Sequence, residues 1–365
     1  MNCARPDSNG RAQFLFFTEQ METEKTILLG KTLEELQEVV AKGGMPRFVG
    51  KQLAEWIYSR RVDEFGEMFN ISKKNREWLE ENCEIGRKAP IECVVSKDGT
   101  RKYLFRVDGG KLVESVYIPD HDRATLCVSS QCGCKMNCYF CATGRMGFKG
   151  NLSAAQILNQ ILSIPDSRKA EEKHLNQLSN VVFMGMGEPL DNWREVKRVI
   201  DVLVAPWGLA WSPKRITVSS VGKLPELKNL LDETDVHVAI SVHTADMKER
   251  ESMMPAQKAF PLKEVVNLLR GYDFSKQRRL SAEYIMWKGV NDDMNHARML
   301  ERLLSGLHCR VNLIRFHDVP GVDLKPCSEE RMIMFRNYLN SKGITATIRT
   351  SRGEDIMAAC GMLAK

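Results

Sequence analysis

Residues 134–141 read CKMNCYFC, which places Cys134, Cys138 and Cys141 in one short segment. Three neighbouring thiolates can each bind one iron of a [4Fe–4S] cube. The fourth iron then has no protein ligand, and the amino and carboxylate groups of S-adenosylmethionine can chelate it. An electron passed from such a cluster to the sulfonium would give a 5′-deoxyadenosyl radical. The segment therefore predicts a [4Fe–4S] cluster and S-adenosylmethionine as cofactors.

A structural zinc site is the alternative for the same cysteines. Zinc prefers four ligands, usually in CxxC pairs, and Cys132 can serve as a fourth thiolate. The chain has 11 cysteines, five of which fall between Cys127 and Cys141. In a reducing cytosol, clustered cysteines bind metal or act in catalysis more often than they form disulfides. The spacing favours iron–sulfur chemistry and leaves zinc as the alternative.

Composition and charge set broad limits on the protein. The 365 residues are 43% hydrophobic and 27% charged, which suits a large globular domain with a smaller one. The net charge of +6 permits a polyanionic partner without requiring one. No apolar run reaches the roughly 18 residues that span a bilayer, and the N-terminus does not have the pattern of a signal peptide. We expect a cytoplasmic protein with no membrane partner, and a monomer.

The first 120 residues divide into three parts. Residues 1–30 are polar and largely without periodicity, which indicates a flexible tail. Residues 31–90 carry three helical patterns, the last beginning after Ser72 as an N-cap, and predict a small helical domain with a possible RNA-binding role. Residues 91–120 form short alternating runs separated by Asp-Gly turn signals, which predict a β-meander.

Aromatic and basic side chains are interleaved on the helical domain, a pattern that can stack on and neutralise nucleic acid. A solvated helix surface with two buried aromatics explains the same pattern, and we favour that explanation for this feature alone. The residues are Trp56, Tyr58, Arg60, Arg61, Lys73, Lys74 and Arg76.

From residue 121 to residue 350, candidate strands and helices alternate, and repeated βα units predict a parallel sheet, either open or closed into a barrel. In such sheets, functional groups gather at the carboxyl ends of the strands. The strands begin near Ala124, Asn180, Arg215, Val236, Ser281, Arg310 and Thr345. The helices are expected near Ala154–Ile164, Trp193–Val204, Leu224–Leu231, Leu262–Leu269, Asp293–Ser305 and Ser328–Lys342.

A CxxxCxxC motif with an aromatic residue before its last cysteine resembles the signature of the radical S-adenosylmethionine superfamily. The turn GMGEPL at residues 185–190 is similar to the glycine-rich cofactor-binding turn of that superfamily. Together with the segments RATLCVSSQCGC, VESVYIP and RGEDIMAACG, these motifs resemble those of the RlmN family. The resemblance covers the chain from about residue 32 to the end. The resemblance implies an α/β fold: a partial parallel (β/α) barrel, TIM-like and of the radical SAM type, preceded by the helical domain and the meander.

The resemblance also implies roles for individual residues. In the segment 351–365, Cys360 matches the cysteine that carries a methyl group, Cys127 matches its partner, and Glu114 matches a proton acceptor. His317 stands where the family typically has an asparagine that contacts the cofactor, so this contact departs from the family pattern. Cys132 also stands where the family often has another residue, and no role is implied for it. The remaining cofactor-binding residues that the resemblance implies are Gly187, Glu188, Ser219, Ser241, Val242 and His243.

The RlmN resemblance implies methylation of adenosine C2 in 23S rRNA and in tRNA, through a methylated cysteine and two molecules of S-adenosylmethionine. It further implies an electron donor of the flavodoxin or ferredoxin type. RNA would contact basic loops such as 145–149, 214–215 and 278–279, and the target base would leave its stack to reach the site.

Three alternatives remain at this stage. A related enzyme of the antibiotic-resistance type methylates C8 of adenosine with the same cysteines and cluster. A glycyl-radical activase uses the same cluster on a protein substrate and needs no methyl-carrying cysteine. A zinc-stabilised RNA-binding protein would perform no catalysis.

Overall fold

The computed structural model describes residues 25–164, 176–276 and 278–364. Most of the predicted tail, residues 1–24, lies outside these ranges. The N-terminal unit begins with a short strand and contains three α-helices, the second of which continues into a π-helical turn at Glu55–Arg60. Its elements are β1 (Thr26–Ile27), α1 (Leu33–Lys42), α2 (Phe48–Ala54), α3 (Lys73–Asn82) and β2 (Cys83–Glu84).

Residues 25–30 correct the predicted boundary of the tail. Strand β1 pairs in parallel with β2, and Leu28 is fully buried. The N-cap prediction for Ser72 is confirmed, since its side chain accepts from the Asn75 backbone N–H at the start of α3. Thr32 forms a capping box with Glu35 at the start of α1. Trp56 and Tyr58 are buried, so neither aromatic ring is open for stacking on a base.

The meander has the predicted antiparallel form and continues directly into the central sheet. Strands β3 (Glu92–Val95), β4 (Arg101–Arg106) and β5 (Leu112–Asp120) pair in sequence. Strand β6 (Arg123–Cys127) pairs antiparallel with β5 and parallel with the next strand of the sheet. The meander and the parallel strands therefore share one ten-stranded sheet.

A small hairpin and two helices follow β6. These elements are β7 (Gln131–Gly133), α4 (Ala142–Arg145), β8 (Phe148–Asn151) and α5 (Ala154–Leu162). The remaining strands and helices alternate as β9 (Leu178–Phe183), α6 (Trp193–Val204), β10 (Ile216–Ser220), α7 (Leu224–Glu233), β11 (His237–Ser241), α8 (Met247–Met253), α9 (Ala256–Ala259), α10 (Leu262–Leu269), β12 (Leu280–Met286), α11 (Met294–Leu304), β13 (Arg310–Arg315), α12 (Glu329–Ser341) and β14 (Thr345–Arg349).

The parallel part of the sheet follows chain order from β6 through β9 to β14. Strands β6 and β14 are not neighbours in the sheet, so in the described residues the sheet forms a partial barrel rather than a closed one. Parallel pairing brings all carboxyl ends of these strands to one side. Within the described ranges, no helix is both long and apolar enough to cross a membrane.

The N-terminal unit packs on the core through one continuous hydrophobic cluster and a few polar contacts. One Arg198 nitrogen on α6 lies 2.7 Å from both carboxylate oxygens of Glu35. The Ser59 hydroxyl donates to the carbonyl of Gly208 at 2.9 Å. The amide of Asn159 on α5 satisfies both backbone groups of Lys88, at 2.8 and 2.9 Å.

Asn159 provides a test of this interface. Replacement of Asn159 by alanine leaves the backbone N–H and C=O of Lys88 without their partner, and we expect it to cost about 1–3 kcal/mol of unfolding free energy. Asn159→Asp keeps the acceptor and loses the donor. Its unfolding free energy should therefore lie between that of the parent protein and that of Asn159→Ala. Denaturant unfolding followed by far-UV circular dichroism measures the change. Equal midpoints for all three proteins would show that this contact does not hold the unit in place.

Candidate active site

A cavity of about 180 Å³ opens at the carboxyl edge of the sheet. Every parallel strand contributes at least one residue to its wall near that edge. These residues are Cys127, Phe183, Ser219, Ser241, Ile285, Ile314 and Arg349. The cysteine-rich loop and the C-terminal segment complete the wall. The alternation of strands and helices therefore brings together motifs that lie far apart in sequence.

Cys134, Cys138 and Cys141 all line this cavity. Backbone hydrogen bonds fix their loop, from Cys134 to the Gly147 carbonyl at 3.1 Å and from Tyr139 to the Met253 carbonyl at 2.9 Å. In the described residues, no three Cys, His, Asp or Glu side chains are grouped as ligands of a single metal ion. A cube binds each thiolate to a different iron, so it requires thiols that share a cavity rather than one coordination sphere.

The electrostatics of these thiols suit a metal cluster. Burial raises the pKa of Cys134 to about 12 and the pKa of Cys138 well above its ordinary value, and neighbouring thiols add to both effects. Thiolates bind metal, and a bound metal ion stabilises the deprotonated form. The three residues can therefore hold a cluster, although each thiol remains protonated when no metal balances its charge.

Arg250 is a buried cation beside this loop. Its guanidinium is fully buried and donates to the carbonyls of Val221, Ser241 and Val242 at 2.9 to 3.2 Å. Burial lowers the pKa of Arg250 to about 10, so it stays charged at neutral pH. Its field favours the thiolate of Cys138, and its hydrogen bonds fix the turns that follow β10 and β11.

Glu188 lies in the glycine-rich turn after β9 and is 3% exposed. Its carboxylate accepts from the backbone N–H groups of Leu190 and Val221, at 3.1 and 3.0 Å. Burial raises the pKa of Glu188 to about 7 despite these bonds. A buried carboxylate is stabilised by a cationic partner, so the site suits the amino group of S-adenosylmethionine.

Gly187 makes this turn possible. Its φ of +98° is unfavourable for residues with a side chain. A Cβ atom built there would lie 2.5 Å from the Cβ of Gln131. The Gln131 side chain in turn accepts from the backbone N–H of Glu188 at 2.9 Å. The glycine therefore lets two loops approach closely and sets the position of the buried carboxylate.

The predicted cofactor residues on β10 and β11 lie close to this turn. Ser219, Ser241 and His243 line the cavity, whereas Val242 is buried and contributes a backbone N–H that donates to the Glu283 carbonyl at 3.0 Å. The His243 Nδ1 accepts from the backbone of Ile285 at 3.1 Å. Burial lowers the pKa of His243 to about 3, so the ring is neutral at physiological pH.

Cys127 and Cys360 come together at the same cavity, although 232 residues separate them in the chain. Cys127 ends β6. Burial is the main cause that raises the pKa of its thiol to about 12, and the nearby Cys360 adds to the effect. Arg349 at the end of β14 lines the cavity too, and the negative charge of Cys360 is the main cause of its raised pKa. Its guanidinium lies 3.8 Å from the carboxylate of Glu283.

A second cavity of about 280 Å³ adjoins the first and shares Cys360 with its wall. Its wall includes His317, Arg349 and Arg352, together with Cys360 itself. His317 does not line the first cavity. Its ring instead contacts the Ser351 hydroxyl at 2.9 Å and the Glu354 carboxylate at 3.1 Å.

Glu114 also has contacts that differ from its predicted surroundings. It is 2% exposed and does not belong to the wall of either cavity. One carboxylate oxygen pairs with the Lys102 ammonium at 3.1 Å, and the other accepts from the Ala364 backbone N–H at 2.9 Å. The side chain therefore ties the meander to the C-terminal segment.

Two family models match the chain. The radical SAM superfamily matches residues 128–300, and the ribosomal RNA large subunit methyltransferase N-terminal domain matches residues 26–85. The chain is 56% identical over 343 residues to a probable dual-specificity RNA methyltransferase RlmN of Phocaeicola vulgatus, and the match covers 94% of this chain and 96% of that protein. The chain belongs to the RlmN family.

Other relatives agree with this assignment. The corresponding protein of Parabacteroides distasonis is 54% identical, and the match covers 93% of this chain and 97% of the relative. The crystal structure of a radical SAM methyltransferase from Sphaerobacter thermophilus superposes with a TM-score of 0.86 at 37% identity, covering 93% of this chain and 99% of that one. The predicted α/β fold of the radical SAM type is confirmed, and this RlmN protein has a central sheet that is mainly parallel.

Sequence reasoning missed two charged residues of the site. Arg250 lies in a helix that carries several other charged residues, and nothing in the sequence distinguishes it from them. Arg349 ends a predicted strand. Its position at the carboxyl edge was therefore a weak indication that it belongs to the site. A strand-end position shows only that a side chain lies near the edge, and the contacts of Arg349 depend on Cys360, which follows in an irregular segment.

The raised pKa of Glu188 predicts how cofactor binding depends on pH. Only the carboxylate form attracts the amino group, so affinity for S-adenosylmethionine should fall as pH falls through about 7. With that pKa, the dissociation constant should be about tenfold larger at pH 6 than at pH 8. Equilibrium dialysis of cluster-loaded enzyme with labelled cofactor measures it.

Glu188→Gln should weaken binding and remove this pH dependence, whereas Glu233→Gln on the exposed end of α7 serves as the control and should change neither. A Glu188→Gln enzyme that keeps the slope would show that another group titrates.

Proposed function

We propose that the chain is an RNA methyltransferase that methylates C2 of adenosine in 23S rRNA and in tRNA, carrying the methyl group on Cys360. The observation that supports this proposal most directly is the position of Cys360. It is exposed and lines both the cavity that contains the three motif thiols and the second cavity. A methyl carrier needs access to both a donor and an acceptor, and the two cavities offer one place for each.

The cofactors follow from the superfamily and fit the first cavity. Cys134, Cys138 and Cys141 would hold the [4Fe–4S] cluster, and Glu188 would accept from the amino group of S-adenosylmethionine. When bound, these cofactors supply the electron and the 5′-deoxyadenosyl radical. The protein contributes a buried space, which protects a radical from solvent, and a neutral His243 ring beside the aromatic ring of Phe140.

The methyl group would enter through Cys360. Its thiolate would take the methyl group from one S-adenosylmethionine by direct displacement, which forms an S–CH₃ bond and releases S-adenosylhomocysteine. The Arg349 guanidinium lines the same cavity as this sulfur. This methyl group would lose a hydrogen atom to the 5′-deoxyadenosyl radical, which becomes 5′-deoxyadenosine, and the carbon radical left on Cys360 would bond to C2 of adenine.

Release of the product requires a second thiol and a proton acceptor. The C2 proton passes to Cys127 or to Glu114, and Cys127 is the one of the two that lines the cavity. The adduct would return its unpaired electron to the oxidised cluster. Attack of the Cys127 thiolate on the Cys360 sulfur would then break the S–CH₂ bond to RNA and form a disulfide, and the released carbon would take up a proton to become the methyl group. External thiols would reduce that disulfide, which suits a cytoplasmic setting. A flavodoxin- or ferredoxin-type protein would supply the electron that first reduces the cluster.

The RNA side of the proposal rests on the second cavity. Arg349 and Arg352 on its wall can pair with phosphate or stack on a base. A flipped adenosine seated there would place its ring next to Cys360. The C8-methylating enzyme remains the alternative, since it would use the same cysteines and the same two cavities.

The first test is methyl transfer with a Cys360→Ala variant. Enzyme reconstituted with iron and sulfide without oxygen, with reductant and methyl-labelled S-adenosylmethionine, should label 23S rRNA fragments and tRNA. Nucleoside digestion should yield 2-methyladenosine, and Cys360→Ala should yield none because the methyl has no carrier. Label in 8-methyladenosine would identify the alternative, and cofactor cleavage without RNA label would refute the RNA substrate.

The second test concerns release. In Cys127→Ala the S–CH₂ bond to RNA cannot be broken by disulfide formation, so RNA should remain covalently attached to Cys360. A denaturing gel should show the adduct as a species of protein plus RNA mass. Cys309→Ala is the matched control. Cys309 directly precedes the amino end of β13, whereas the cavity lies at the carboxyl ends of the strands, so this variant should show normal turnover. Free methylated RNA from Cys127→Ala would exclude the proposed release step.

A further inference from the structure

The C-terminal segment that carries Cys360 is attached to the turn between β3 and β4. We call residues 350–364 the strap and residues 96–100 the meander turn. Asp355 of the strap accepts from the Ser96 hydroxyl at 2.5 Å and from the Lys97 backbone N–H at 3.2 Å. In the opposite direction, Asp98 of the meander turn accepts from the backbone N–H of Gly353 at 3.0 Å. The two carboxylates thus form a reciprocal latch.

Both carboxylates are suited to hold this latch at physiological pH. Burial opposes ionisation of Asp98, but hydrogen bonds from Thr100 and Gly353 outweigh it and lower its pKa to about 2. Hydrogen bonds from Ser96 and Lys97 lower the pKa of Asp355. Charge-assisted hydrogen bonds of this kind are stronger than neutral ones.

The backbone between the latch and Cys360 is held in an uncommon conformation. Gly353 and Met357 both have a positive φ, +62° and +54°, and the second is unusual for a residue with a side chain. The Lys102 ammonium donates to the Met357 carbonyl at 3.3 Å. Such conformations persist where surrounding contacts hold them in place, and here the meander supplies the contacts.

A second set of contacts holds the strap on the far side of Cys360. The carbonyl of Gly361 accepts from the Ala142 backbone at 2.8 Å, and the carbonyl of Leu363 accepts from the Thr143 hydroxyl at 2.6 Å. Glu114 accepts from Ala364 at 2.9 Å. Because Ala142 and Thr143 directly follow the cluster ligand Cys141, this attachment belongs to the cluster loop.

Residues 356–360 lie between the latch and this second attachment, and Lys102 holds Met357 within that stretch. The position of the Cys360 sulfur therefore depends on both attachments, and the latch is the one that does not involve the cluster loop. We propose that the meander turn positions Cys360 for methyl transfer, with Asp98 and Asp355 as positioning residues. The inference rests on the proposed role of Cys360 as methyl carrier. It gives the meander turn, which does not line the cavity, a role in positioning that residue.

The test uses Asp355, because its side chain is exposed and bonds to the meander turn. Asp355→Ala removes the acceptor, whereas Asp355→Asn keeps one acceptor oxygen and should restore part of the activity. Asp108→Asn, in the other turn of the meander, is the control. Misplacement of a reacting group by about 1 Å can cost up to 100-fold in rate, so we expect RNA methylation by Asp355→Ala to fall about 10- to 100-fold.

Two further measurements separate positioning from loss of fold. Iron content and cluster absorbance of Asp355→Ala should equal those of the parent, and the ratio of 5′-deoxyadenosine formed to adenosine methylated should rise. Hydrogen exchange should show faster exchange at the backbone N–H groups of Lys97 and Gly353. If Asp355→Ala fails to load a cluster, Ser96→Ala removes one bond of the latch and should give the same changes in smaller measure.

Each outcome bears on the proposal. Faster exchange at these groups with unchanged methylation would overturn it and leave the proposed function intact. Equal losses of cluster, cofactor cleavage and methylation in both Asp355→Ala and Ser96→Ala would overturn it as well, since they would show a purely structural role. Absence of RNA methylation by the parent enzyme would instead refute the proposed function, while the exchange data would still report on the latch.

Discussion

The burial of ionisable groups at the carboxyl edge of the sheet is the constraint on which the site depends. Thiols, the Glu188 carboxyl and the Arg250 guanidinium all lie where little water remains, and charged groups are costly there unless they are compensated. The framework supplies backbone donors to Glu188 and carbonyl acceptors to Arg250. It does not fully compensate the burial of negative charge on Glu188 and on the thiols, and the pKa values of these groups are raised as a result. Cationic and metallic groups relieve that imbalance, which is the physical reason that this cavity suits the proposed cofactors.

Most of the fold could be predicted because hydrophobic periodicity is a local property of the chain. The helices Trp193–Val204 and Leu262–Leu269 have the predicted bounds, and the predicted strands, β6 and β9 to β14, all join the parallel part of one sheet. Strand β1 was missed for the opposite reason. It has two residues, and its stability comes from pairing with Cys83–Glu84 and from the burial of Leu28. No window of sequence near residue 26 contains that information.

The site was predictable where its residues lie at strand ends or in one loop, and much less where they depend on distant contacts. Ser219, Ser241 and His243 line the cavity with the three cluster cysteines, since the parallel topology determines that edge. Glu114 and His317 lie elsewhere: the first is paired with Lys102, and the second contacts the strap. Those contacts join single polar side chains that lie 12 to 37 residues apart, and they leave no periodic pattern in the sequence.

Cys127 and Cys360 differ in the kind of backbone that carries them, and this difference suits their proposed roles. Cys127 ends a strand that is paired on both sides, so its sulfur is fixed relative to the cavity. Cys360 lies in a segment outside the sheet, attached on either side by a few hydrogen bonds. A methyl carrier has to meet a donor, an acceptor and a second thiol in succession. If Cys127 stays fixed in the sheet, small displacements of the short segment that carries Cys360 can bring its sulfur to each of these groups in turn. Two thiols fixed in the sheet could not make such displacements.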